Sequence, residues 1–102
     1  MDDERRSGPR YLIIADTELT DMASDSKRSG RTSELSISGC FIDTGNPAPA
    51  GTKFRVRISQ QNTTFTAVGC VMSVIPNTGM SIAFTSIEPH QLSVLQEWLP
   101  ER

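Results

Sequence analysis

Alternation of apolar and polar residues with a period of two constrains this sequence more than any other feature. In the stretch TKFRVRIS, Phe54, Val56 and Ile58 alternate with three cationic residues. Successive side chains of a β-strand point to opposite faces of its sheet. The stretch therefore predicts a half-buried strand with an apolar inner face and a basic outer face.

Two further stretches show the same alternation. GMSIAF places Met80, Ile82 and Phe84 on one side of a strand, with Ser81 and Ala83 on the other. ELSISGCFID places Leu35, Ile37 and Phe41 on one side of another strand. The segment YLIIADTELTDM predicts a first strand that ends in polar sequence. The chain is therefore expected to be built mainly of β-strands.

Turn-forming segments separate these runs. The segments ASDSKRSGR and DTGNPAPAGT predict loops, and PNTG predicts a tight turn between the last two strands. The longest run, TTFTAVGCVMSVI, contains Gly69, which predicts a bulge or a sharp bend. Short strands at this spacing are typical of an all-β barrel or sandwich.

The C-terminal stretch EPHQLSVLQEWLPER has a helical period. Leu92, Leu95 and Leu99 recur at i, i+3 and i+7, which predicts an amphipathic helix of about three turns. Gln91 is placed to reach back toward the start of this helix. We expect the helix to cover an open end or face of the strands, with a partner groove or a dimer contact as the alternative.

Length and charge exclude several classes of protein. The chain has 102 residues, the size of one domain, and a formal net charge of −2, which argues against bulk binding of DNA or RNA. No apolar run is long enough to span a bilayer, and MDDERRSGPR lacks the apolar core of a signal peptide. We expect a cytoplasmic protein without membrane insertion.

Few side chains offer catalytic or metal-binding chemistry. Cys40 and Cys70 are the two cysteines and His90 is the one histidine of the chain. We expect both thiols to be buried and free, rather than bridged or metal-bound. No nucleophile and acid accompany His90 in a known catalytic pattern, so we expect neither an enzyme nor a cofactor.

Two short polar segments carry the binding chemistry. RRSGPR places Arg5, Arg6 and Arg10 in a glycine-proline segment, and guanidinium groups chelate phosphates or the O6 and N7 atoms of guanine. In ELSISG, Glu34 and the serines share one strand parity and would form a polar stripe facing a ligand. Taken separately, the first segment favours a basic N-terminal tail over a binding site, and the second is also explained as an outward polar strand face.

Taken together, the two segments resemble the PilZ family of bacterial cyclic-di-GMP receptors. The family pattern is Arg-x-x-x-Arg followed by Asp/Asn-x-Ser-x-x-Gly at a strand. Arg6 and Arg10 match the first element, while Ser36 and Gly39 match the second. Glu34 departs from the pattern, because its side chain is one methylene longer than that of aspartate.

The resemblance implies an all-β fold, a six-stranded antiparallel β-barrel with a C-terminal α-helix. Residues 1–102 would form a single domain, with 1–10 as an arginine switch loop, 11–86 as the barrel and 88–99 as the helix. The implied ligand-binding residues are Arg5, Arg6, Arg10, Glu34, Ser36, Ser38 and Gly39.

The resemblance also implies a non-catalytic receptor for cyclic-di-GMP. A downstream bacterial protein, acting in motility, secretion or regulation, would be its partner, and the receptor would be a monomer or a weak dimer. The alternative is a degenerate PilZ-type interaction module that no longer binds the nucleotide, and Glu34 is the feature that favours it.

Overall fold

Six antiparallel strands close into a barrel that is followed by one helix in the computed structural model, which describes residues 9–99. Around the barrel the strands run in the order β1-β2-β3-β6-β5-β4, and β4 pairs back onto β1. The predicted six-stranded barrel with a C-terminal helix is therefore confirmed. The elements are β1 (Tyr11–Asp21), β2 (Lys27–Leu35), β3 (Gly39–Asp43), β4 (Lys53–Gln60), β5 (Thr63–Ile75), β6 (Gly79–Ser86) and α1 (Pro89–Trp98).

The interior of the barrel follows the predicted alternation in β4 and β6. Phe54, Val56 and Ile58 are fully buried, while the basic residues between them are exposed. Met80 and Ile82 are buried in the same way on β6, and Phe84 on the same side is half-buried against the core. Each of the buried side chains stabilises the fold by about 1.5–3 kcal/mol relative to an exposed position.

The loop predicted for ASDSKRSGR is shorter than expected, because its second half belongs to strand β2. Only residues 22–26 form the connection, and Lys27–Leu35 is a strand paired with both β1 and β3. Its alternation is hidden in the sequence because an inward position is polar: Thr32 is fully buried, and its hydroxyl donates to the carbonyl oxygen of Ile13 at 2.9 Å. A buried hydroxyl that finds this acceptor avoids most of its desolvation cost.

The alternation predicted for ELSISGCFID holds only as far as Leu35 and is wrong for the residues that follow. Strand β2 ends at Leu35 and β3 begins at Gly39, so a three-residue turn resets the alternation. Ile42 is fully buried, Phe41 is on the outer face, and Ile37 in the turn is 37% exposed. A turn that changes parity moves every following side chain to the opposite face.

Strand β5 is long because it serves two neighbours in succession. Its first part pairs with β4 and its second part with β6. Against β6 the register shifts between Val68 and Gly69 and again between Val71 and Ser73. The distortion predicted at Gly69 is confirmed, and such bulges increase the local bend that a closing sheet needs.

Helix α1 packs on β5 and on the barrel core. Leu95 is fully buried, and the Trp98 ring lies edge-on to Phe65 with centroids 6.1 Å apart. Gln91 does not reach back to the helix start. Its side-chain oxygen accepts a hydrogen bond from the backbone N–H of Thr66 at 2.8 Å, which ties the helix to β5.

The two cysteines are free, but they differ in exposure. Cys40 on β3 is buried, and burial raises the pKa of its thiol from 9.0 to about 12. Cys70 on β5 is only half-buried, so the expectation of burial is wrong for this residue. Within residues 9–99, no helix has the length and apolar character needed to cross a membrane.

Candidate ligand-binding site

An open groove with a volume of about 260 Å³ lies over the outer faces of β2, β3, β6 and β5. It brings together the start of β1 and the turn between β2 and β3, the regions of the two predicted binding segments. Arg5 and Arg6 lie outside the described residues. The residues lining the groove are Arg10, Glu34, Leu35, Ser36, Ser38, Gly39, Cys40, Phe41, Met72, Ser81, Ile82 and Ala83.

The β2–β3 turn is a compact hydrogen-bonded unit. The backbone N–H of Ser36 donates to the carbonyl oxygen of Gly39 at 2.9 Å. The Ser36 hydroxyl is 3.2 Å from that of Ser38 and also accepts from the Ser38 N–H at 3.2 Å. The expected stripe of Glu34, Ser36 and Ser38 along one strand is therefore wrong. A turn, rather than strand parity, brings the two hydroxyls together.

Strand β6 holds this turn from the other side. The backbone N–H of Phe84 donates to the carbonyl oxygen of Ser38 at 2.8 Å. Gly39 pairs with Ala83, and a Cβ atom at position 39 would collide with the carbonyl oxygen of Ile82. Close backbone packing is thus sufficient to require glycine at this position.

A salt bridge crosses the rim of the groove. The Arg10 guanidinium is 3.8 Å from the Glu34 carboxylate, and their side chains are 66% and 51% exposed. Leu12 pairs with Glu34 across β1 and β2, which places the segment before β1 beside this carboxylate. An exposed pair at this distance is weak, so the guanidinium can exchange its partner for another anion.

Sequence reasoning missed the residues on the far side of the groove. Phe41 on β3, Ser81 and Ala83 on β6, and Met72 on β5 line it. The alternation of GMSIAF does place Ser81 and Ala83 on the outer face. The pairing of β3 with β6 and of β6 with β5 joins segments far apart in sequence, and no local pattern signals it.

The side chains of residues 9–99 that could serve in catalysis or metal binding include His90, the two cysteines and the carboxylates. No group of three or more His, Cys, Asp or Glu side chains there has the geometry to hold a metal ion. His90 is 72% exposed at the start of α1, where its Nδ1 is 3.8 Å from a carboxylate oxygen of Glu88. It does not line the groove.

These features define a class of small antiparallel barrels with an appended helix and a groove over one strand junction. The PilZ domain model matches residues 4–101, and the chain therefore belongs to the PilZ family. No curated protein matches the sequence.

Solved structures share the fold at low sequence identity. The PilZ domain of CeSA from a cellulose-synthesizing bacterium has a TM-score of 0.71 at 16% identity, over 89% of this chain and 94% of that chain. The PilZ domain of YcgR from Escherichia coli, solved with c-di-GMP, has a TM-score of 0.68 at 21% identity, over 94% and 88%. The Bacillus subtilis inhibitor of motility MotI/DgrA has a TM-score of 0.72 at 12% identity, over 87% and 46%.

Proposed function

We propose that the chain is a non-catalytic receptor for cyclic-di-GMP, which binds in the groove at the β2–β3 turn. The observation that carries the proposal is the convergence of Arg10 with the turn serines and Gly39 in one groove. Family membership and the fold shared with a PilZ domain solved with c-di-GMP give further support.

The two halves of the groove would have different tasks. Arg10, joined by Arg6 and assisted by Arg5, would grip phosphates and guanine edges with paired N–H donors. The hydroxyls of Ser36 and Ser38 would donate to an adjacent phosphate. Glu34 is the group suited to accept from the N–H edge of a guanine, provided that it leaves Arg10.

Binding would act as a switch through the arginine segment. A dianionic ligand neutralises the clustered guanidinium groups, so that residues 1–10 close over the barrel when it binds. The surface so created would be offered to a downstream bacterial protein in motility, secretion or regulation. The receptor is proposed to work in the cytoplasm, as a monomer or a weak dimer.

Isothermal titration with cyclic-di-GMP tests this proposal. Arg10→Ala is expected to weaken binding about tenfold or more, because a charge-assisted bidentate contact contributes about 1.5–3 kcal/mol. Ser36→Ala is expected to weaken binding less, since its hydroxyl is already engaged within the turn. Arg55→Ala is the matched control, an exposed cation on β4 that does not line the groove.

Absence of binding heat up to about 100 µM ligand would contradict the proposal. A titration to that concentration detects complexes with a binding free energy as weak as roughly −5 to −6 kcal/mol. The degenerate interaction module would then be the better description. The observation that favours it is the Arg10–Glu34 pair, in which the protein's own carboxylate occupies the clamp. A partner captured equally with and without the nucleotide would support that alternative.

A further inference from the structure

The side of the groove away from the arginine is lined by Met72, Ile82 and Ala83, with Ser81 as its one hydroxyl among the described residues. Met72 is 61% exposed there, although methionine is more often buried. It lies on β5, and the barrel order places β3 and β6 between it and the Glu34 side of β2. Three strand spacings of about 4.8 Å separate the two sides by roughly 14 Å.

A strand distortion sets the position of Met72. Val71 pairs with Ile82 and Ser73 with Ser81, so Met72 is an extra residue on β5 opposite two consecutive residues of β6. The hydroxyls of Ser73 and Ser81 are 2.7 Å apart and fix the strand just after the bulge. Bulges re-aim side chains and are over-represented beside binding sites.

The strand register connects Met72 to the predicted binding residues. Glu34 pairs with Phe41, Phe41 with Ser81, and Ser81 with Ser73, the residue after Met72. This row of paired residues begins with the carboxylate of Glu34 and ends next to the thioether of Met72. The groove therefore offers charge and hydrogen bonds at one side and polarizable apolar surface at the other.

We propose that Met72 packs on the face of a purine base of the bound dinucleotide, an inference that rests on the proposed function. A purine has a polar edge and a flat π-face, and a thioether makes favourable contacts with aromatic rings. Phe41, on β3, lies between the Glu34 side and the Met72 side of the groove and adds apolar surface there. Met72 would thus contact a base while the arginine side holds the phosphates, so it would favour a nucleotide over a simple phosphate.

Titration of the full chain with cyclic-di-GMP tests the contact. Met72→Ala is expected to weaken binding about threefold to tenfold, and Met72→Leu to stay within about twofold of the original chain. Ile75→Ala is the matched control. Ile75 is 51% exposed on the same strand but does not line the groove, so its loss leaves affinity unchanged.

The possible outcomes distinguish failure of the proposed Met72–purine contact from failure of the proposed receptor function. Binding by the original chain and by Met72→Ala with equal affinity overturns the contact and leaves the proposed receptor standing. No binding by the original chain overturns both. A melting temperature of ligand-free Met72→Ala equal to that of the original chain shows that a loss of affinity is not a loss of fold.

Discussion

At the scale of single residues, the Arg10–Glu34 pair bears most directly on the proposed binding of an anion. The carboxylate is 3.8 Å from the guanidinium. A phosphate bound as proposed would therefore compete with Glu34 for Arg10. Because both side chains are more than half exposed, the pair itself is worth about 0–1 kcal/mol, and a doubly charged ligand can displace it.

Shortening this carboxylate is expected to strengthen binding. Glu34→Asp keeps the charge, withdraws it from Arg10 by one methylene and restores the family pattern. We expect cyclic-di-GMP to bind about threefold to tenfold more tightly, measured by isothermal titration. Glu18→Asp on β1, which shortens a carboxylate outside the groove, serves as the control. Equal or weaker binding by Glu34→Asp would show that the carboxylate does not limit affinity.

At the scale of elements, the alternation of apolar and polar residues predicted some strands and missed others. β4 was evident because each of its inward positions is a large apolar residue. β2 was not, because its buried Thr32 relies on a hydrogen bond to Ile13 that only the folded sheet provides. The period-3.6 pattern of the C-terminal leucines predicted the helix, since helical periodicity needs no partner strand to be visible.

In the groove, too, local sequence patterns show only the features that do not depend on strand pairing. Its arginine and its serine turn belong to short motifs that a sequence displays directly. The contribution of Met72 depends on a bulge between β5 and β6, which arises only when two distant segments pair. The polar half of the groove was therefore predictable and the apolar half was not.

The attachment of α1 depends on one side-chain acceptor. Gln91→Ala leaves the backbone N–H of Thr66, on β5, without its acceptor on α1. Losing such a hydrogen bond costs about 1 kcal/mol. We expect the free energy of unfolding in urea to fall by about that amount. Gln96→Ala, an exposed position on the same helix, is expected to have no effect. Equal stability of the two variants would mean that water replaces the lost acceptor.

At the scale of the whole molecule, closure of the barrel makes one cooperative unit of the strands. β1 pairs with both β2 and β4, and 59% of the described residues lie in strands. The core has side chains from every strand, and Cys40 is part of it. Although Cys40 lines the groove, it is only 7% exposed, so a reagent is expected to reach its thiol only when the barrel opens.

Thiol labelling can measure that opening. At pH 8 a thiol reagent is expected to modify half-buried Cys70 at least about tenfold faster than Cys40. Burial raises the pKa of Cys40 to about 12, so almost no thiolate is present until the protein opens. Cys70→Ala should remove the fast phase and Cys40→Ala the slow one. Equal labelling rates would show that the barrel opens locally at β3.

The contact between Gly39 and Ile82 bears on how relatives of this chain are sorted. That glycine is demanded by its neighbour strand, and Ser36 is tied up inside its own turn. A relative with the same turn would need both residues to keep it, whether or not it binds a nucleotide. A Ser-x-x-Gly sequence would therefore indicate this turn, and the arginines would be the better test of the proposed nucleotide binding.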